Sequence, residues 1–300
     1  MIPNSVADIL RSKTARALPR APEYPPYDLR SALFDFNPQA HPALRAQGVD
    51  PHSYAALVAR QLAHWQSAAR AAAGRGVQAV RDALAGAGWE AFFGDHGDGL
   101  PLWASKRASV GALLRCYRQA LDQVSGPRRR LEPPVFPPPL SRYSGVDWEA
   151  IAGTADAVGV KLYTMHWPMM ARYWARDLVG STDARALDTV TAAMATFLGF
   201  CDDAQPDGAA LHYPPPDIAH PVGRQAQIDK LRQAQQLAGP VPLIAFTHSY
   251  GTPSDVRQRI ATAAAALGDG ARLWVNRYGY LSDAKLADLG RLMQAQESLA

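Results

Sequence analysis

Apolar positions along this chain fall into two alternating patterns. Ala-, Arg- and Gln-rich stretches repeat their apolar residues roughly every three or four positions, the spacing of a helix with one buried stripe. Between them lie short apolar runs rich in β-branched and aromatic residues. Each run is closed by a polar turn containing Pro or Gly, as strands are.

The first half reads as mostly helical. Residues 4–13 predict a short helix and residues 14–24 a strand interrupted by Pro19 and Pro22. A Pro-punctuated loop over 25–52 holds the apolar knot Ala32-Leu33-Phe34-Asp35-Phe36. Helices are predicted over 53–73 with Ser53 as N-cap, over 76–94, and over 102–124. The stretch 94–99, GDHGDG, reads as a turn, because its spacing fits neither a calcium loop nor a phosphate loop.

The second half alternates. An extended Pro-rich segment (131–137) precedes a short helix (147–155), a strand (157–166) and helices over 169–179 and 183–198. A long loop over 203–222 leads to a polar helix at 224–238. Then come a strand (241–247), a helix from 254 to 267 capped by Ser254, a strand (272–278), and a helix from Ser282 to about 295. Such a βαβα run predicts a parallel sheet with crossover helices. The near-continuous apolar strands fit burial on both faces.

Composition narrows the class. Of 300 residues, 48% are apolar and 19% charged, which excludes a disordered chain. No run reaches the ~18–20 apolar residues of a membrane-spanning helix, so no membrane partner is expected. The N-terminus lacks the apolar run and small-residue site of a secretory signal. Cys116 and Cys201 stand apart, too few for a disulfide framework, so a reducing cytoplasm is the expected compartment. The net charge is only +4, and the one basic run, Arg128–Arg130, comes without a nucleic-acid-binding motif. No nucleic-acid partner is expected. There is no HxH or HExxH spacing, so neither metal nor cofactor is implied.

In parallel α/β folds ligands bind beyond the C-terminal ends of the strands. Those ends carry Glu23-Tyr24 with Tyr27, then His166-Trp167, His248-Ser249-Tyr250, and Asn276-Arg277-Tyr278 with Tyr280. Each joins a polar or ionisable group to an aromatic ring, which is what a carbohydrate cleft needs. Lys161 and Tyr163 alternate along one strand, which points both to one face; an interior lysine there calls for a carboxylate partner. Asn276 and Tyr278 likewise share a face, with Arg277 on the other. Glu132 and Asp156 precede their strands and read as structural. Asp202-Asp203 reads as a cap or turn.

The segments PEYPPY (22–27), SGVDWEAIAGTADAVGVKLYTMHWPMM (144–170), THSYG (247–251) and LWVNRYGYLSDAKL (273–286) resemble an uncharacterised bacterial branch of glycoside-hydrolase-like (β/α)8 barrels. The resemblance runs from about residue 20 to residue 293. It implies a TIM-type α/β barrel in which Glu23 occupies the acid/base position after strand four. The segments VFPPPLS, KLYTMHW, IAFTHSYG and LWVNRYGY then supply strands five to eight. The sequence departs from the pattern at the end of strand seven, where His248 replaces a glutamate, and strands one to three have no counterpart.

The expectation is thus a single (β/α)-barrel-type domain over 1–300, lacking the first strands, with helical insertions at about 53–124 and 169–238. It acts on or binds a carbohydrate. Glu23 is the candidate general acid and Asp35 the candidate second carboxylate, its other reading being a loop brace. Lys161, Tyr163, His166, Trp167, His248, Tyr250, Asn276 and Tyr278 are the candidate substrate contacts. The alternatives are a non-catalytic carbohydrate-binding or structural barrel fragment, and a metal-dependent hydrolase built on the two histidines. A homo-oligomer covering the open sheet edges is the expected assembly.

Overall fold

The computed structural model of the chain describes residues 29–33, 41–94, 100–216, 218–268 and 270–297. It is an α/β structure with one four-stranded, all-parallel sheet. The strands are β1 (Pro134–Val135), β2 (Val158–Lys161), β3 (Leu243–His248) and β4 (Arg272–Asn276), side by side in chain order.

Among the described residues six α-helices precede the sheet: α1 (Leu29–Leu33), α2 (His41–Ala46), α3 (Pro51–Ala72), α4 (Val77–Gly86), α5 (Trp89–Phe93) and α6 (Pro101–Asp122). Helices α7 (Leu140–Tyr143) and α8 (Trp148–Thr154) link β1 to β2. Three more, α9 (His166–Val179), α10 (Ala184–Phe197) and α11 (Arg224–Ala238), link β2 to β3. Helix α12 (Pro253–Leu267) links β3 to β4, and α13 (Asp283–Glu297) follows. Helices α8, α11, α12 and α13 lie against one another in that order, with α11 on β2 and β3 and α12 on β3 and β4.

Several boundaries differ from the sequence reading, and proline explains two. Helix α3 is capped by Asp50, whose carboxylate accepts the Ser53 N–H at 2.8 Å, and not by Ser53. Helix α12 is capped by Thr252, which accepts the Asp255 N–H at 3.2 Å, and not by Ser254. In both, a proline with its φ already set opens the helix one residue after the cap. The predicted helix over 76–94 is two, because Gly88 turns left-handed (φ +80°) between α4 and α5. Part of the predicted loop over 25–52 is helical, as α1, α2 and the start of α3.

The strands are shorter than their apolar runs. In β1 only Pro134 and Val135 pair, since the flanking prolines have no N–H to give. The run over 157–166 stops pairing at Lys161, and the chain turns so that the His166 N–H reaches the Tyr163 carbonyl at 2.8 Å. His166 and Trp167 therefore open α9.

Strand register sorts the side chains. Val158, Val160, Leu243 and Ala245 are buried in one large apolar core. On the opposite face Lys161, Phe246 and Trp274 form one row across three strands, with Trp274 47% exposed. Glu132, just ahead of β1, pairs with Arg272 at the start of β4 at 2.9 Å, an ion pair between the two outer strands.

The two helical stretches expected as insertions pack on each other, α3 on α9 and α4 on α10. Their contact is aromatic. Trp89 lies 5.1 Å from Trp65, 4.4 Å from Phe93, 6.1 Å from Trp174 and 5.5 Å from Phe197, ring centre to ring centre. The same core cluster contains Leu29 and the strand residues Val158 and Leu243. No helix of the described residues is long and apolar enough to cross a membrane.

Candidate functional site

The parallel arrangement brings the C-terminal ends of β2, β3 and β4 together, and with them four of the eight predicted contact residues, Tyr163, His166, His248 and Asn276. Tyr163 follows β2, His248 ends β3 and Asn276 ends β4. The Asn276 side-chain amide donates to the Tyr163 hydroxyl. The His166 ring stands edge-on to Tyr163 at 5.7 Å and lies 5.8 Å from the Tyr213 ring. Arg277 Nη2 lies 3.4 Å from His166 Nε2, and because a guanidinium only donates, that nitrogen carries a lone pair.

Arg277 is the one non-glycine residue with positive φ (65°) among the described residues. A left-handed backbone costs such a residue about 1–2 kcal/mol. The strain is held by bonds on both sides. The Arg277 N–H donates to Asn276 Oδ1 at 2.7 Å, and the Ser249 hydroxyl donates to the Arg277 carbonyl. Lys285, from α13, ties the same corner by donating to the carbonyls of Ser249 and Tyr280, each at 2.9 Å.

Beneath this rim lies a buried polar network. The His248 ring is 0% exposed and faces donors on both sides. Its Nδ1 meets the Tyr250 N–H at 3.2 Å, and its Nε2 lies 3.1 Å from Arg259 Nη1 and 3.2 Å from the Thr164 hydroxyl. The Thr164 hydroxyl is also 2.8 Å from His220 Nδ1, so it bridges the two imidazoles, which stack at 5.3 Å. Arg259 Nε donates to Asp255 Oδ2 at 3.0 Å, Nη2 pairs with the same oxygen at 3.0 Å, and Nη2 donates to the Tyr250 carbonyl.

His220 Nε2 has no hydrogen-bond partner and lies 3.9 Å from Asp255 Oδ2, beyond bonding distance. Gly251 keeps that gap open. A Cβ there would sit 2.6 Å from Asp255 Oδ2, 3.0 Å from Arg259 Nη2 and 3.3 Å from His220 Nε2, and the backbone is left-handed (φ +114°).

All three histidines are neutral. Burial, reinforced by Arg277, pushes His166 down to about 4. Burial, reinforced by Arg259, pushes His220 down to about 3 and His248 well below the usual 6.5. The unfolded chain takes up these protons near pH 6.5 and the fold does not, so stability falls as the pH drops from about 6.5 toward 4. Each histidine held neutral contributes about 1.4 kcal/mol per pH unit in that window. The urea midpoint is expected to be clearly lower at pH 5 than at pH 7. Equal midpoints would rule out neutral buried rings.

Other predicted residues lie elsewhere. Trp167 is 1% exposed and stacks on Phe200 at 5.1 Å, so it is a core residue with no free face for a sugar ring. Lys161, expected as an interior lysine beside a carboxylate, is on the sheet face opposite the core, with its ammonium 5.1 Å from the Phe136 ring centre. Tyr250 is buried at 4%, its hydroxyl donating to the Pro214 carbonyl at 2.8 Å and its ring 4.9 Å from that of Tyr280. Glu132 and Asp156 are structural, as expected. Asp156 accepts the Leu131 N–H at 2.8 Å and pairs with Arg118 and Arg128. Asp202 caps α11, accepting the Gln225 and Ala226 N–H groups. Glu23 and Asp35 lie outside the described residues, as does the side chain of Tyr278, whose backbone opens a 3₁₀ turn.

Thr164, Tyr213, His220, Asp255 and Arg259 complete the site and were not singled out from the sequence. Asp255 and Arg259 carried a signal, an acid–base pair four residues apart on a predicted helix. His220 and Tyr213 sit in a loop with no periodicity. Among the described residues no group of three or more His, Cys, Asp or Glu side chains is placed to hold a metal ion.

The fold and site together define an α/β protein with a parallel sheet and a polar, aromatic, histidine-rich site at its strand ends. Compared with family models, curated proteins and solved structures, the chain matches none of them.

Proposed function

We propose that this chain is a TIM-type (β/α) barrel protein, similar to glycoside hydrolases, that takes a carbohydrate at the ends of β2, β3 and β4. The observation that carries this reading is the grouping of Tyr163, His166, Asn276 and Arg277 beside the Tyr213 and Tyr280 rings. A neutral imidazole, an amide and a guanidinium offer hydroxyl groups both acceptors and donors, and tyrosine faces suit sugar rings. The chain-order parallel strands, with α11 and α12 crossing over between them, fit a segment of such a barrel.

In the catalytic form of this reading Glu23 is the general acid, Asp35 supplies the second carboxylate, and Tyr163, His166, Asn276 and Tyr278 bind or orient the sugar, with the buried His248 and Tyr250 holding the strand ends beneath them. A non-catalytic, carbohydrate-binding form is favoured by one observation. The carboxylate in the buried network, Asp255, is already engaged by two Arg259 contacts at 3.0 Å.

Calorimetry against a panel of oligosaccharides, with hydrolysis of aryl glycosides in parallel, tests both forms. Binding that weakens at least about tenfold, roughly 1.4 kcal/mol, in Tyr163→Ala and Asn276→Ala is the expected result. If hydrolysis is found, Glu23→Gln is expected to lower it by about 10²-fold or more. Activity untouched in Glu23→Gln overturns the catalytic form. A panel without any binding overturns the reading altogether.

A further inference from the structure

A second set of side chains, on α10, α11 and the turn after α10, has a chemistry of its own. Helix α11 carries Lys230, which is 3% exposed. Its amine donates to the Leu198 carbonyl at 2.6 Å, just past the end of α10, and lies 5.7 Å from the Phe200 ring centre. Among the described residues it makes no ion pair. Gly199, left-handed at φ +62°, admits it, since a Cβ there would stand 2.8 Å from the amine nitrogen.

Lys230 lines a cleft of about 580 Å³ between α5, α7, α9, α10 and α11. The walls include Trp89, Phe93 and Trp174, with the charged Glu90 and Arg142 and the amide of Gln233. That volume lies within the roughly 300–1,000 Å³ of small-molecule sites, and apolar walls with a few polar groups are their usual make-up. Burial holds the Lys230 amine down to about 7, against weaker opposing pulls from Asp229 and Cys201. A large share of it is thus unprotonated at neutral pH, the state in which an amine is a nucleophile.

We propose that Lys230 is the reactive amine of a second ligand site, and that this cleft takes a small aldehyde or ketone as an imine. The amine nitrogen attacks the carbonyl carbon, its two protons pass to the carbonyl oxygen, and that oxygen leaves as water. The C=N double bond replaces C=O. No electrons are transferred and no oxidant is needed. The Phe200 ring and the aromatic walls keep the nitrogen in apolar surroundings, and the Leu198 carbonyl orients it.

The test is reductive trapping on the intact folded chain. Benzaldehyde with cyanoborohydride at pH 7.5 is followed by peptide mapping over all five lysines, Lys13, Lys106, Lys161, Lys230 and Lys285. Lys230 is expected to be labelled at least tenfold faster than any other lysine, with a rate that rises through about pH 7. Lys230→Met is expected to remove that adduct and leave the others unchanged. If the wild-type chain is labelled elsewhere and Lys230 reacts only after unfolding in urea, the lysine serves solely to cap α10 and the proposal fails. Because the readout is on the wild-type chain, it stands even if the variant does not fold.

Discussion

Replacing Arg259 by methionine is expected to destabilise the protein by about 3–5 kcal/mol, the cost of leaving one partner of a buried ion pair alone. Arg259 is 4% exposed, and its guanidinium holds Asp255, the Tyr250 carbonyl and the His248 ring at once. Methionine matches its stem and none of its bonds. The Asp255 carboxylate, 11% exposed, would lose its ion-pair partner. Urea unfolding at pH 7 measures the loss. The double variant Arg259→Met/Asp255→Asn is expected to recover part of it, because neither charge of the pair is then left without the other. A loss below about 1 kcal/mol, the range of exposed pairs, would mean that water reaches this network.

Trp89→Ala is the second large effect, at about 3–5 kcal/mol. The ring is 2% exposed and touches Trp65, Phe93, Trp174 and Phe197, which come from α3, α5, α9 and α10. Its removal opens a cavity where the helices ahead of the sheet meet those between β2 and β3. Since one apolar core joins these helices to the strands, wild type and variant are both expected to unfold in a single transition by tryptophan fluorescence and far-UV circular dichroism. Two separated transitions would show that the helices fold as their own unit.

Much of this was legible in the sequence, and what was not has identifiable causes. Period alone placed α6, α9, α10 and α11 within a few residues, α11 to the residue. The parallel sheet followed from the βαβα run of the last third. Helix starts were misread where a proline intervened, since both Asp50-Pro51 and Thr252-Pro253 put the cap ahead of the residue that looked like one. Trp167 was misread because an apolar run does not show where pairing stops. The chain turns at Tyr163, and the tryptophan goes inward with the first turn of α9. His166, His248 and Asn276 were legible because they sit at or near strand ends. His220 was not, because an aperiodic loop reveals its inward side chains only once the chain is folded around them.

The edge strand β1 has a consequence for crowded solutions. In its parallel pairing the Gly159 N–H goes to the Pro133 carbonyl, which turns the next position, Pro134, away from the sheet. Proline has no proton to present there, and Pro133, Pro137, Pro138 and Pro139 crowd the approaches. A strand arriving from another molecule finds no donor at Pro134. Growth by strand addition needs two receptive borders on every molecule, and among the described strands the second border is β4. Any such contact can join two molecules and then has nowhere to continue, so a concentrated sample is set against fibres by five residues of one type.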